Sequence, residues 1–302
     1  MYLQYTLEMR SNYFILLFIV CSSLSAFGQR QLGYKLKVGD KFSLVQKANQ
    51  EITQEMDGTT HIMNNIIEGS YYMTVLRTTE AGYIIGFSFE HFKMEATSNL
   101  AGVIMDIDTQ RDADKDDIQS MIFNGLIGVE MEMEMLKTGK IIAITGTDKL
   151  ISSMIEGSGI ADQTTKREMY RAMEEEFGGG TLAASFEQLT YIYPETKVRI
   201  GDRWKNSING ELNADNTWTY QGKANKQNTI TGLSDIALNN ETDGMTMKLT
   251  GMQETKVICD AKNGFILSFN AESEGSGDSF IVSLGDTPIP TKITTITEYF
   301  IK

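Results

Sequence analysis

Cysteine, proline, histidine and tryptophan are all scarce in this 302-residue sequence, at two, three, two and two copies. Each scarcity excludes something. Cys21 falls in a leader-like segment and Cys259 is then alone, so the remaining chain cannot form an internal disulfide. It must be held by its apolar core, and about 270 residues suffice to bury one. No Pro/Ser-rich linker divides the chain, so one curved sheet is expected rather than two separate domains. His61 and His91 fall on separate predicted strands, too few for a His-rich metal site. There is no GxSxG, no HExxH and no glycine-rich phosphate loop. Gly178-Gly179-Gly180 lacks the Lys and Ser/Thr of a phosphate loop and reads as a helix stop. Beyond residue 28 no apolar run approaches the ~20 residues of a membrane-spanning helix. Basic residues number 27 against 40 acidic ones, a net charge of −13. That balance argues against nucleic acid and anionic membrane surfaces as partners.

What is present begins with a leader. Met9-Arg10 is a short basic start, Phe14–Val20 is apolar, and Ala26-Phe27-Gly28 places small residues where a signal peptidase needs them. Cleavage is expected before Gln29, giving an exported, periplasmic or envelope protein. Cys21 offers a lipid anchor as the alternative, but Val20 stands where that signal wants a small residue.

One octapeptide pattern then occurs twice. KLKVGDKF at 35–42 matches KVRIGDRW at 197–204, with Gly39 aligned to Gly201. Each copy reads as a short strand, a Gly-Asp turn and an aromatic opening the next strand. A weaker marker, Lys137–Ile141 against Lys262–Ile266, places a Gly turn late in each half. Between these markers the chain reads mostly as strands joined by Asp57-Gly58, Glu80-Ala81-Gly82, Asn209-Gly210, Asp243-Gly244 and Asn263-Gly264. Glu274–Asp278 reads as a flexible Gly/Ser/acidic loop. The centre is helical: Asp116 or Asp117 caps a short helix through Gly125, Thr147 or Asp148 caps another to Glu156, and Thr181 a last one through Leu189. The clearest helix runs from Asp162 to Phe177, with Met169, Met173 and Phe177 at i, i+4, i+8. It is expected to lie across the sheet.

The leader, Gly39-Asp40, Asp106 at a strand end, Phe177-Gly178, Tyr193-Pro194, Gly201-Asp202-Arg203-Trp204 and Asn263-Gly264 together resemble an uncharacterised family of exported proteins found largely in Bacteroidetes. The family has no assigned activity, so the resemblance implies a fold and no catalytic residues. A second, architectural likeness is to periplasmic lipoprotein carriers, which wrap a curved antiparallel sheet around an apolar cavity and cover it with helices.

Two constellations carry chemistry. Asp106, Asp108, Asp112, Asp114 and Asp116 supply the oxygen ligands calcium wants. Asp117 and Phe123 stand where an EF-hand needs Gly and Glu, so a solvated, helix-capping acidic segment is the simpler reading. Met131, Met133 and Met135 alternate with Glu130, Glu132 and Glu134, giving one dry and one wet face. Thioethers bind soft metals, but they also fill cores and line adaptable apolar pockets. With Met169, Met173 and Phe177 they form the candidate ligand-binding set. Trp204, Trp218 and nearby tyrosines read as core at the sheet start, with a ligand platform as the alternative. Cys259 reads as a buried structural thiol.

The expected fold is mainly β (α+β). Residues 1–28 form a signal peptide, 29–146 a first β half, 147–190 a helical insert acting as a cover, and 191–302 a second β half. The expected function is non-enzymatic, with no cofactor: binding of an apolar ligand or an envelope partner. A structural or protein-interaction module and an unrecognised hydrolase are the alternatives.

Overall fold

The computed structural model describes residues 28–302, apart from 57, 113–116, 242–243 and 286. The leader, Cys21, Asp57, Asp114, Asp116 and Asp243 therefore lie outside the described residues. The strands are β1 (Lys41–Met56), β2 (Thr59–Thr78), β3 (Gly82–Ser98), β4 (Gly102–Asp108), β5 (Met131–Leu136), β6 (Ile141–Thr145), β7 (Arg203–Ile208), β8 (Leu212–Ala224), β9 (Gln227–Glu241), β10 (Met245–Asp260), β11 (Ile266–Ile281) and β12 (Ile289–Ile301). They form one open antiparallel sheet in the order β6-β5-β3-β2-β1-β12-β11-β10-β9-β8-β7, with β4 beside the far end of β3. The mainly β architecture expected from the sequence is therefore present. The last strand inserts next to the first, so neither end of the described chain forms a sheet edge.

The two octapeptides build the same turn. Gly39 and Gly201 have φ of 88° and 87°, a conformation glycine adopts without strain. The Asp40 carboxylate accepts the Lys37 N–H at 2.8 Å, and Asp202 accepts the Arg199 N–H at the same distance. Gly39 and Gly201 donate to Val75 and Tyr220 carbonyls, and Val75 and Tyr220 donate back to Asp40 and Asp202. The residues before each turn are extended segments, not ladder strands, apart from an Arg30–Val198 bridge. The second marker also recurs in space. Gly139 and Gly264 have φ of 92° and 74°, and the adjoining Lys137 and Asn263 carbonyls accept the consecutive N–H groups of Tyr34 and Lys35.

The helices are α1 (Ile118–Asn124), α2 (Thr147–Gly157), α3 (Gln163–Phe177) and α4 (Gly179–Thr190). Asp117, one of the two expected caps, caps α1, and Asp162, expected as the first residue of its helix, caps α3 instead. The other two starts differ from expectation. α2 already contains Thr147 and follows Gly146, whose left-handed φ of 90° makes the bend. α4 begins at Gly179, not behind a Thr181 cap. A Cβ at Gly179 would sit 2.5 Å from the Ile144 carbonyl, so glycine allows the helix to rest on β6. Thr181 instead donates to the Glu175 carbonyl.

α4 joins the two ends of the sheet. The Ile141 N–H of β6 donates to Glu187, and Gln188 donates to the Leu212 carbonyl of β8. Phe186 projects onto the sheet, edge-on to Tyr71 and Phe87 at 5.5 and 5.1 Å. Burying such a ring stabilises the fold by about 1.5–3 kcal/mol. Leu150, Ile151 and Met154 of α2 are also fully buried. α3 differs from expectation: none of its residues is fully buried, and it packs on α2 and α4. Its links toward the core are Met173 and Phe177, and Phe177 meets Phe123 of α1, itself stacked on Phe92. The cover is therefore α2 and α4, with α3 outside them.

Glu274–Asp278 is not a loop. It is the middle of β11, paired with β10 and β12 throughout. One of its glycines serves close approach: a Cβ at Gly277 would meet the Lys248 carbonyl at 2.2 Å. On β10, a Cβ at Gly251, opposite Gly275, would likewise meet the Glu274 carbonyl at 2.0 Å.

Candidate functional site

The strands are longer than the helical cover. Helices and turns seal the proximal half of the inner face, while its distal half extends beyond them. Strand register sorts this face into rows, because residues directly opposite point the same way. The last row of the sealed half contains Trp204, Trp218, Gly232, Thr255, Ala271, Thr297, Ala48 and Ile67. Trp218 fills the space above Gly232, where a Cβ would fall 2.6 Å from the indole.

The next row is entirely polar across eight adjacent strands: Asn206, Asn216, Ser234, Gln253, Ser273, Thr295, Gln50 and Asn65. Its β7–β9 end is internally satisfied. Asn206 accepts from Asn216 at 2.9 Å and from the Trp218 indole at 3.1 Å, and Ser234 donates to Asn216. Its centre is more open. Gln253, Ser273, Thr295 and Gln50 are half-buried.

Beyond this row the face turns apolar again. Ile208, Ala214, Ile236, Ile293, Ile52 and Met63 form one row with Gly251 and Gly275, and Leu212, Leu238 and Leu249 belong to the next. Ile52, Met247, Leu249 and Ile293 are the buried members of a second apolar cluster, distinct from the main core. A trough of about 550 Å³ opens above them, bordered by Gln50, Gln253, Ser273 and Thr295 on the polar side. This size lies within the range of small-molecule sites, about 300–1,000 Å³. Two hollows of about 750 and 700 Å³ lie on the outer face, but their walls carry Glu254 and Glu272 among exposed polar residues. The inner trough is the better candidate because Ile52, Leu212, Ile236, Leu238, Leu249 and Ile293 give it more aliphatic wall than either hollow has.

The sequence-derived candidates lie elsewhere. Met131, Met133 and Met135 are almost wholly buried, in the main core. Met169, Met173 and Phe177 are half-buried on α3. None of the six lines the trough. Asp106 forms a two-pronged pair with Arg111, at 3.0 Å for one contact. Asp108 contacts His91 at 2.9 Å and the Gln110 N–H at 3.0 Å, and Asp112 is exposed. Arg111 thus competes for the oxygens that calcium would need. Among the described residues no group of three or more His, Cys, Asp or Glu is placed to hold a metal ion. Trp218 is buried and Trp204 half-buried, donating to the Ile192 carbonyl at 3.1 Å. Cys259 is fully buried.

His61 and Ser98 approach at 2.8 Å, the spacing of a base and a nucleophile. However, Ser98 Oγ also accepts the Leu100 and Ala101 N–H groups. With both lone pairs engaged, its hydrogen goes to His61 Nε2. The neutral imidazole then carries its proton on Nδ1, which is buried without a partner. Among the described residues no carboxylate orients that ring from Nδ1.

The trough residues carry no motif, so the sequence offered only a faint sign of them. The register of eight strands assembles them. Among the described residues no helix is long and apolar enough to cross a membrane.

Residues 80–266 match a family described as "Family of unknown function (DUF6263)". No curated protein matches the chain. Lipovitellin, in a structure titled for its lipid–protein interactions, aligns with a TM-score of 0.50 and 8% identity. The alignment covers 89% of this chain and 25% of lipovitellin, so the chain spans about a quarter of that protein's length. DynF, from the dynemicin biosynthesis pathway of Micromonospora chersina, aligns at TM-score 0.26 and 6% identity, over 90% of this chain and 85% of DynF. The translocator domain of autotransporter NalP from Neisseria meningitidis aligns at 0.21 and 7%, over 98% and 97%. The last two scores are too low to bear on the fold.

Proposed function

Because the chain belongs to DUF6263, a family of unknown function, its role must come from its own geometry, and we propose that it is a non-enzymatic binding protein for an apolar ligand. The observation that carries this reading is the aliphatic trough on the distal inner face, separate from the sealed core. Leu249, Ile293 and Ile52 line this hollow outside the sealed core, and an apolar group lying in it would complete their packing. The fold likeness to lipovitellin agrees with a lipid-like ligand. The composition of residues 1–28 supports export to the periplasm or envelope. The equivalent bonding of the two octapeptide turns supports reading residues 29–146 and 191–302 as copies of one plan, joined by the insert 147–190.

Native mass spectrometry with organic extraction of protein purified from its own envelope tests the proposal. A co-purifying amphiphile of fixed mass is the expected result. A ligand-free chain that also takes up no added acyl probe would overturn it.

A second reading, an interaction module, has one specific observation in its favour. Val103 and Ile104 of β4 are 68% and 53% exposed, and β4 pairs only with β3 among the described strands. The hydrolase alternative gains nothing from Ser98, whose oxygen is already saturated by backbone donors.

A further inference from the structure

We propose that the trough selects an acyl chain carrying an uncharged ester or hydroxyl head, of the acylglycerol type, and discriminates against anionic amphiphiles. The inference rests on the apolar-ligand reading above and adds the chemistry of the head.

The first support is charge. Among the described residues the trough is lined by one ionisable side chain, Glu211, at its β8 rim, and by no Lys, Arg or His. Glu176 of α3 is close enough that its pKa is raised, chiefly by burial and then by Glu211 and Glu175. The rim is therefore acidic, and a phosphate or carboxylate head would meet like charge with no cation to pair it. Among the described residues this lining also has no aromatic ring, so a quaternary ammonium head finds no cage there.

The second support is the polar row at the inner end of the trough. Ser273 and Thr295 are opposite each other on β11 and β12. Among the described residues neither hydroxyl has a protein hydrogen-bond partner. Gln50 uses its carbonyl to accept from Asn65 at 3.0 Å, which leaves its amide N–H groups free. Gln253 donates to Thr255 at 3.2 Å, which leaves its carbonyl free. The row thus offers neutral donors beside a neutral acceptor. An ester carbonyl takes the donors and a free glycerol hydroxyl takes the acceptor. The third support is length. Gln253 and Met245, both on β10 and both lining the trough, are eight residues apart, or about 26 Å of strand at about 3.3 Å per residue. That accommodates one extended acyl chain over Ile293, Leu249 and Met247.

The test is displacement of a fluorescent fatty-alcohol probe from the delipidated full-length protein. The competitors share one acyl chain: a monoacylglycerol, a free fatty acid, a lysophosphatidylglycerol and a lysophosphatidylcholine. At about pH 8, where the fatty acid is ionised, the monoacylglycerol is expected to displace the probe at about tenfold lower concentration than either anionic competitor. The exposed-site variant Glu211→Lys should cancel that preference by improving fatty-acid binding about tenfold. The pair Ser273→Ala and Thr295→Val should lower monoacylglycerol affinity more than it lowers that of the fatty-alcohol probe, which has no ester carbonyl for those hydroxyls to hold. Equal or tighter binding of the anionic amphiphiles by the wild-type chain, with the probe still bound in the trough, overturns the head-group inference alone. A probe that does not bind, or that ignores a side chain placed in the trough at Gly275, overturns the apolar-ligand reading and this inference together.

Discussion

Ile52 lies directly across from Ile293 where β1 pairs with β12, and each is 8% exposed. The pair closes the seam between the first and last strands of the sheet, beneath the trough. Its packing is looser on the side away from the sheet, which faces the hollow. Truncation there removes fewer contacts than truncation in the sealed core. We expect Ile293→Ala to cost about 1–2 kcal/mol, against about 2–5 kcal/mol for Leu44→Ala in the main core. Urea denaturation of both variants checks this. Equal losses would mean that the distal half is as closed as the proximal half.

Gly39 and Gly201 share φ and bonding, and a Cβ at either would meet nothing within 4 Å. Substitution by Ala therefore costs only the backbone conformation, about 1–2 kcal/mol, and the same at both sites. Gly139→Ala should cost considerably more, because its Cβ would also meet the Thr190 carbonyl at 1.7 Å. Denaturation midpoints of the three variants settle the order. A Gly139→Ala protein as stable as Gly39→Ala would contradict it.

Asp108 gives the fold a defined acid sensitivity. Burial raises its pKa, but the Gln110 N–H, His91 and Arg111 outweigh burial, and the folded value lies below the usual one. Its contribution is thus present above the unfolded pKa, about 3.9, and is lost as pH falls through the folded value. Asp108→Asn should be less stable than wild type by about 1 kcal/mol near neutrality, with the gap closing as pH falls below the usual carboxylate range. A gap that stays constant with pH would show that the charge contributes nothing.

Burial pushes the Cys259 thiol up to about 12. Thiolate is the reactive form, so a native thiol should resist alkylation at about pH 8 and react once urea unfolds the chain. The labelling rate should follow global unfolding. Rapid labelling of native protein would place Cys259 in a region that opens locally.

The sequence made some parts of this structure legible and hid others, for physical reasons. The octapeptide turns were readable because a Gly-Asp turn is local: Gly39 supplies the φ and Asp40 ties back to Lys37. Asp117 announced α1 through the same short-range chemistry. Glu274–Asp278 misled because glycine has two uses. It marks loops, but Gly277 permits close approach to a strand 29 residues earlier, at Lys248, and nothing local records that. Met131, Met133 and Met135 did mark a dry face. Alternation shows that a face is dry but not whether the space above it is filled, and Phe186 and its neighbours fill it. The trough was hidden because Ile52, Leu249 and Ile293 come from three strands and meet only through the register of the whole sheet.

The most direct test of the account uses Gly275, on the floor of the trough. A Cβ there meets nothing closer than 3.6 Å, whereas one at Gly251 opposite would fall 2.0 Å from the Glu274 carbonyl. Gly275→Phe therefore places a ring in the hollow with little strain, while Gly251→Ala disturbs the strand pair itself. The measurement is titration of the wild-type and Gly275→Phe proteins with the fluorescent fatty-alcohol probe, each checked by circular dichroism. The account predicts saturable binding to wild type and its loss, by about tenfold or more in affinity, in a folded Gly275→Phe protein. Unchanged binding by that variant, with its fold intact, would contradict the claim that the distal trough is the ligand site.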